Sequence, residues 1–274
     1  MIQDIYPHKF NNQYDKEAGP VDRSPVLVFQ GDKVLADTNG WLRIPSVAEM
    51  PENVKLRFAF KLDNISYFLA ENSDVNIDGY TFTNIREIRG MKNCEKHQIF
   101  ALMTGKHLSD WYRDTSFCGR CGTKMNHSET ERAMKCPDCG YTAYPRIMPA
   151  VIVGITNGDK MLITKYKTGY QHNALVAGFT EIGETLEETV KREVMEETGL
   201  TVTNIRYYKS QPWGIANDIL AGFFCDVCGD TEIHMDENEL KYAQWIERDD
   251  IMLQPDSASL TNEMMMIFKE GRNN

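Results

Sequence analysis

The chain is expected to fold as a mixed α/β protein, and three observations predict it. Its N-terminal third is filled by short apolar or alternating runs broken by Gly, Pro, Asn and Asp, the pattern of a β-rich domain. Two Cys-x-x-Cys pairs follow, Cys118 with Cys121 and Cys136 with Cys139, which read as a small metal-stapled unit. The remainder alternates strand-like runs with a glutamate-rich and a methionine-rich helical stretch, the mixture expected of helices packed on a sheet. The boundaries this suggests are 1–113 for a β-rich domain with a linking helix, 114–143 for the cysteine unit and 144–274 for the α/β domain.

Composition narrows the function classes. A chain of 274 residues can hold two domains or one large one, each with a sizeable core. A net charge of −10 argues against a general polyanion-binding surface, and it would repel a diphosphate unless metal ions intervened. The opening MIQDIYPHKFNNQ has no basic start and no apolar run, and no stretch reaches the length of a membrane span. A cytoplasmic protein with no membrane association is therefore expected. Seven cysteines, an odd number arranged as three Cys-x-x-Cys pairs plus Cys94, fit metal binding in a reducing compartment better than a disulfide framework.

In chain order, residues 25–30, 55–61 and 65–71 read as strands and carry no catalytic signature. His8, Cys94 and His97 read as ordinary residues. From 95 to 113 the period turns helical, with Ile99, Leu102, Met103 and Trp111 on one face. The two cysteine pairs then stand fourteen residues apart, a spacing that reads as a four-cysteine zinc ribbon. Four thiolates would fill a tetrahedral sphere, so this Zn2+ is expected to be structural. Residues 106–146 carry seven Lys/Arg against five Asp/Glu, a weak excess that leaves the ribbon's reading structural rather than RNA-facing. Cys225 and Cys228 lie three apart on a strand-like run and would face opposite ways. Residues 149–155 and 160–165 read as strands joined by an Asn157-Gly158 turn. Further strands are expected at 175–178, 202–208, 219–226 and 242–246, and a closing helix at 259–269, where Met264 to Met266 are packing residues.

The most informative stretch is GFTEIGETLEETVKREVMEETGL, residues 178–200. On a helical wheel Leu186, Val190 and Val194 form an apolar stripe. Glu188, Lys191 and Arg192 fall on the far side, with Glu188–Arg192 and Arg192–Glu196 pairs expected at i,i+4. Glu193 and Glu197 lie at the edge of the buried stripe or in line with it, where an ionised carboxylate is costly unless it is paired or binds a metal. Thr185 suits the N-cap and Gly199 a left-handed close. Gly183 is followed by Glu184 rather than Lys-Ser/Thr, so the approach is not a P-loop. Carboxylates in place of lysine imply that phosphates are met through divalent cations.

Gly178, five residues, Glu184, seven residues and then Arg192-Glu193-Val194-Met195-Glu196-Glu197-Thr198-Gly199-Leu200 resembles the Nudix box at every defined position. With the zinc ribbon before it and Ser210-Gln211-Pro212-Trp213 after it, the chain resembles the NADH pyrophosphatase (NudC-type) family over about residues 115–260. The resemblance implies a Nudix α/β/α sandwich behind the ribbon and the β-rich domain. It implies a homodimer that uses Mg2+ or Mn2+ to cleave NADH or NAD to nicotinamide mononucleotide and AMP, and that removes NAD caps from RNA. Carried over by position, it implies metal ligands at Glu193, Glu197, Glu196, the Ala177 carbonyl and Glu239. It implies base stacking by Phe179 and by Trp213, the latter from the partner subunit, with Gln211 and Tyr144 as further substrate contacts. Glu197 is expected to orient or deprotonate the attacking water. Arg192 is expected to hold the loop–helix–loop while pointing away from the site.

The resemblance breaks after Trp213. The family continues Pro-Phe-Pro-x-Ser, whereas this chain has Gly214-Ile215-Ala216-Asn217-Asp218. Where the family often shows Ser-Ile-Ala beside the purine, Ser259-Leu260-Thr261 stands. A looser segment with weaker base discrimination is the expectation. The rival readings are a Nudix diphosphatase for ADP-ribose or another nucleoside diphosphate derivative, and a catalytically silent binder of NAD-like ligands or RNA. The binder has no need for every box glutamate, and metal-dependent turnover separates it from the enzymes.

Overall fold

A computed structural model describes residues 1–71, 74–169, 171–255 and 258–273. The chain divides into two compact units. One comprises Ile2–Arg146 with Trp213–Asn217; the other comprises Met1, Ile147–Pro212 and Asp218–Asn274.

The first unit is built from short strands. Phe10–Asn11, Leu56–Leu62, Ile65–Ala70 and Val26–Leu27 form a four-stranded sheet in that order, and Phe29–Gln30, Lys33–Ala36 and Thr81–Asn84 a three-stranded one. The helix Lys96–Asp114 buries Ile99, Phe100, Leu102, Met103 and Trp111. Gly105 lets it lie close to the sheet, since a Cβ there would stand 2.3 Å from a Leu27 methyl. Trp111 continues into a small cluster with Met125, Met134, Cys118 and Cys136. Around that cluster the strands Asn126–His127, Met134–Lys135 and Thr142–Ala143 make a three-stranded sheet.

The second unit is a sheet covered on both faces. Its strand order is Thr201–Trp213, Asp218–Cys228, Met148–Asn157, Lys160–Tyr166 and Leu240–Glu247, with Val176–Phe179 also paired to Met148–Asn157. The central Met148–Asn157 strand runs parallel to Asp218–Cys228 and antiparallel to Val176–Phe179. Its side chains alternate, as the two-residue period of a strand requires. Ile152 packs with Phe224, Leu260, Met264 and Phe268 on one face, while Val151, Val153 and Ile155 pack with Val190, Val194 and Phe223 on the other. The helices Leu260–Lys269 and Leu186–Thr198 thus cover opposite faces, the α/β/α sandwich that the box implied. Met264 and Met265 are fully buried, as packing residues should be. Each wholly buried Val or Leu here contributes roughly 1.5–3 kcal/mol of burial.

The glutamate helix starts and stops as its sequence suggests, with one difference. Thr185 accepts from the Glu188 amide at 3.2 Å, while the Glu188 carboxylate accepts from the Thr185 amide at 2.8 Å, a reciprocal capping box. Gly199 closes the helix at φ 70°. Glu188 is therefore engaged at the N-terminus and not paired with Arg192, because the free amides of the first turn compete for its carboxylate. The strand expected at 202–208 extends over Thr201–Trp213. Among the described residues, no helix is long and apolar enough to cross a membrane.

Candidate functional site

The cysteines converge. Donor sulfurs of Cys118, Cys121, Cys136 and Cys139 all lie within 4.8 Å of one another, with 3.6 Å between the sulfurs of Cys118 and Cys139 and 3.4 Å between those of Cys121 and Cys136. Four thiolates at about 2.3 Å from one tetrahedral ion stand near 3.8 Å apart, so the set fits Zn2+ and leaves no open position for substrate. Tight turns at Gly122 and Gly140, both in the left-handed region, aim the pairs inward.

The glutamates form a second centre, in the sheet unit. Glu197 is 2% exposed, and its Oε2 is wholly buried with no hydrogen-bond partner. Among the described residues its Oε1 meets the Tyr166 hydroxyl, at 3.4 Å. Burial, reinforced by the Glu193 and Glu239 carboxylates, pushes its pKa up to about 8. Glu193 is raised as well, mainly by burial, with Arg192 opposing. A buried carboxyl with one unpartnered oxygen, beside two other carboxylates, is what a metal-binding carboxylate set looks like from the protein side. Gly178 makes room for it. A Cβ at that position would stand 1.9–2.2 Å from the Glu193 carboxyl, so only glycine lets that carboxylate lie against the Val176–Phe179 strand. Ala177 precedes it on the same strand, and the Ala177 amide reaches Glu197. Glu196 is exposed and bonded to Arg192 at 3.0 Å; Glu239 is exposed on the loop before Leu240–Glu247.

Arg192 departs from its expected orientation. It grips Glu184 through two nitrogens at 2.6 and 2.9 Å, the Phe179 carbonyl at 2.9 Å, Glu193 at 2.7 Å and Glu196 at 3.0 Å. The two-pronged Arg192–Glu184 pair is of the strong, geometrically specific kind, and it holds the Glu184 carboxyl down to about 2. Arg192 ties the loop to the helix, as expected, but it does so by turning toward Glu193 rather than away from it. The reason is that Glu184 and the Phe179 carbonyl, distant on a helical wheel, are brought beside the helix by the bend before it.

The remaining expected residues separate. Phe179 is 48% exposed at the end of its strand. Gln211 is fully buried; its amide donates to the Ala258 carbonyl and accepts from the Leu260 amide, both at 2.8 Å. It thereby holds the start of the closing helix. Trp213 and Tyr144 belong to the other compact unit. There Trp213 carries the Arg89 guanidinium 4.7 Å above its ring, and Tyr144 is 59% exposed with its hydroxyl 3.4 Å from Glu131. The segment after Trp213 is not loose: Gly214 is buried, and a Cβ there would stand 2.0 Å from the Met103 carbonyl.

Two ionisable residues had no place in the site expected from sequence. Tyr166 had no motif to mark it, and only its place at the end of a predicted strand pointed near the site. Asp218 was noted as a departure but not as a site residue. It is 5% exposed with Oδ1 unpartnered among the described residues, and burial pushes its carboxyl up to about 7. Asp218 pairs with Met148, and Phe179 with Ala150, on the same central strand. Even spacing and direct pairing put Asp218 and Phe179 on one face of the sheet.

Residues 146–265 match the NUDIX domain model and residues 113–144 the NADH pyrophosphatase zinc ribbon domain model. The chain therefore carries both domains. It is 37% identical over 166 residues to a NAD-capped RNA hydrolase NudC of Haemophilus influenzae (strain PittEE), covering 59% of this chain and 62% of that protein. It is 40% identical over 164 residues to the protein of that name from Klebsiella pneumoniae subsp. pneumoniae, covering 59% and 63%. The chain thus spans a little under two thirds of the length of these relatives. A solved NUDIX hydrolase from Nitrosomonas europaea has a TM-score of 0.49 at 23% identity, covering 57% of this chain and 92% of that one.

Proposed function

We propose that this chain hydrolyses the diphosphate bond of NADH and NAD, releasing nicotinamide mononucleotide and AMP, and that it also removes NAD caps from RNA. The observation that carries the reading is the buried, unpartnered Glu197 Oε2 beside Glu193 and Glu239, on a helix whose neighbouring strand ends in the half-exposed Phe179. Relatives named NAD-capped RNA hydrolase support the substrate class.

Glu193, Glu196, Glu197, Glu239 and the Ala177 carbonyl would hold the divalent ions. When bound, Mg2+ or Mn2+ neutralises the diphosphate and lowers the pKa of a water. Glu197 Oε2 is free to orient that water and take its proton. One P–O bond forms from water as the bridging P–O bond breaks. Arg192 keeps Glu193 in place and, through the Phe179 carbonyl, fixes the strand end that carries the ring. Phe179 stacks against a flat base, with Trp213 as the second face from a partner subunit in a homodimer. Gln211 acts by holding the 258–260 turn. Zinc at the four cysteines stabilises the ribbon.

A second reading, an ADP-ribose or related diphosphatase, is favoured by one observation. Asp218 puts a buried carboxyl with an unsatisfied oxygen on the Phe179 face, where the resembling family has a serine. Chromatography of products from NADH, NAD and ADP-ribose with Mg2+ or Mn2+ decides between them. NADH cleaved to the mononucleotide and AMP supports the first reading; ADP-ribose cleaved far faster establishes the second. NADH bound without turnover leaves neither standing.

A further inference from the structure

Outside both centres, three separate stretches of the chain bring ligating side chains together. His8 lies just before the strand Phe10–Asn11, Asp63 at the turn between Leu56–Leu62 and Ile65–Ala70, and Glu95 and His97 at the start of the helix Lys96–Asp114. All belong to one compact unit. The two imidazole rings have centroids 3.9 Å apart, and each meets a carboxylate: His8 Nδ1 lies 2.8 Å from Asp63, and His97 Nδ1 lies 3.2 Å from Glu95. One nitrogen of each ring and one Glu95 oxygen all fall within 4.8 Å of one another.

Sequence reading treated His8 and His97 as ordinary residues, and it could not have paired groups so far apart in the chain. From these observations we infer that His8, His97 and Glu95 form a second metal site for a divalent transition ion, with Asp63 orienting His8.

The chemistry of the donors selects the ion. Two imidazoles and a carboxylate, with no thiolate, suit zinc, cobalt, nickel or copper better than magnesium or calcium. Asp63 is itself immobilised, because its carboxylate also accepts from the Lys9 amide at 2.8 Å and its own amide donates to the Lys9 carbonyl at 2.7 Å. A carboxylate held in that way fixes a histidine ring and raises its basicity, the usual support for a metal-bound imidazole. Access is open, with side-chain exposures of 32% for His8, 19% for His97 and 56% for Glu95. Coordination at about 2.0–2.1 Å per nitrogen would turn the rings out of their present contact, so an ion should be visible at both imidazoles. A bound ion would clip the N-terminal segment to the first turn of the helix.

The test uses the full chain with its ribbon cysteines loaded with zinc, titrated with Co2+ and followed by visible absorption and imidazole NMR. The expected result is one Co2+ per chain beyond the ribbon zinc and any ions held by the box glutamates, with d–d bands but no thiolate charge transfer and with both His8 and His97 resonances perturbed. Asp63→Asn should weaken it about 10- to 100-fold. His8→Ala and His97→Ala should weaken it at least as much, while His172→Ala should not. The same ion should persist in Glu193→Gln/Glu197→Gln, which separates it from the box glutamates. Circular dichroism and retained ribbon zinc certify that each variant is folded; for any variant that is not, His8→Gln and His97→Gln take its place. The inference is overturned if no extra ion binds, if the folded histidine variants bind as tightly as the parent, or if the ion disappears with the box glutamates.

Discussion

Glu197 offers the most quantitative check, because its cost in the metal-free protein can be worked from the structure. Its carboxyl is 2% exposed, and burial with two neighbouring carboxylates lifts it from 4.5 to about 8. Between those values the folded chain holds a proton that the unfolded chain has released. Stability must therefore fall as pH rises from about 4.5 and level off above about 8. At about 1.4 kcal/mol per pH unit separating the two values, the full cost is on the order of 4–5 kcal/mol, an upper bound because water entry and side-chain movement would relieve part of it. Glu197→Gln removes the ionisation while keeping the shape. Without divalent cation, the variant should match the parent near pH 5 and exceed it at pH 8 by up to about 4 kcal/mol, equivalent to an unfolding temperature higher by about 10 °C. Asp218 is also raised, to about 7, and adds a slope of the same sign to both proteins. The difference between parent and variant reports Glu197 together with its coupling to Glu193. Adding Mg2+ or Mn2+ should stabilise the parent at pH 8 and the variant much less, since the ion takes over neutralising the charge. Scanning calorimetry at pH 5 and 8, with and without cation, reads all four states. If parent and variant have the same pH slope, or if the variant is the less stable one at pH 8, the reasoning is refuted.

The other predictions concern separate residues. Gly178→Ala should fold, since the group displaced is the flexible end of Glu193, yet lose roughly 100-fold or more in kcat by moving that carboxylate; unchanged kcat would mean that Glu193 can serve from elsewhere. Glu193→Gln should keep the fold and cut kcat by several orders of magnitude. Glu188→Ala should instead leave kcat alone and cost about 1 kcal/mol through the lost capping box, as urea titration would show. Cys136→Ser should release the ribbon zinc, seen by elemental analysis, and destabilise the unit that contains it. Asp218→Ser should raise the ratio of kcat/KM for NADH to that for ADP-ribose, and Trp213→Ala should raise KM for NADH. An unchanged substrate ratio in the first would remove Asp218 from any role in specificity.

Much of this protein was legible locally. The zinc ribbon follows from two Cys-x-x-Cys pairs, because ligands with two residues between them in a tight turn already point together. The glutamate helix, its Thr185 cap, its Gly199 close and its Val190–Val194 stripe follow from a 3.6-residue period that needs no knowledge of what the stripe packs against. The same period placed Glu193 and Glu197 toward the core. Tertiary structure alone decided the rest. Arg192 turned toward Glu193 because a bend delivered Glu184 and the Phe179 carbonyl to its side, which no wheel can represent. Gln211, read as a substrate contact, became a brace for Ala258 and Leu260, and Gly214, read as looseness, became a close contact with the Met103 carbonyl. Tyr166, Asp218 and the pair of His8 with His97 acquired meaning only from neighbours far along the chain. Periodicity and spacing record which way a side chain faces on its own element; what it then meets depends on how distant elements are packed, and that information is spread over the whole sequence.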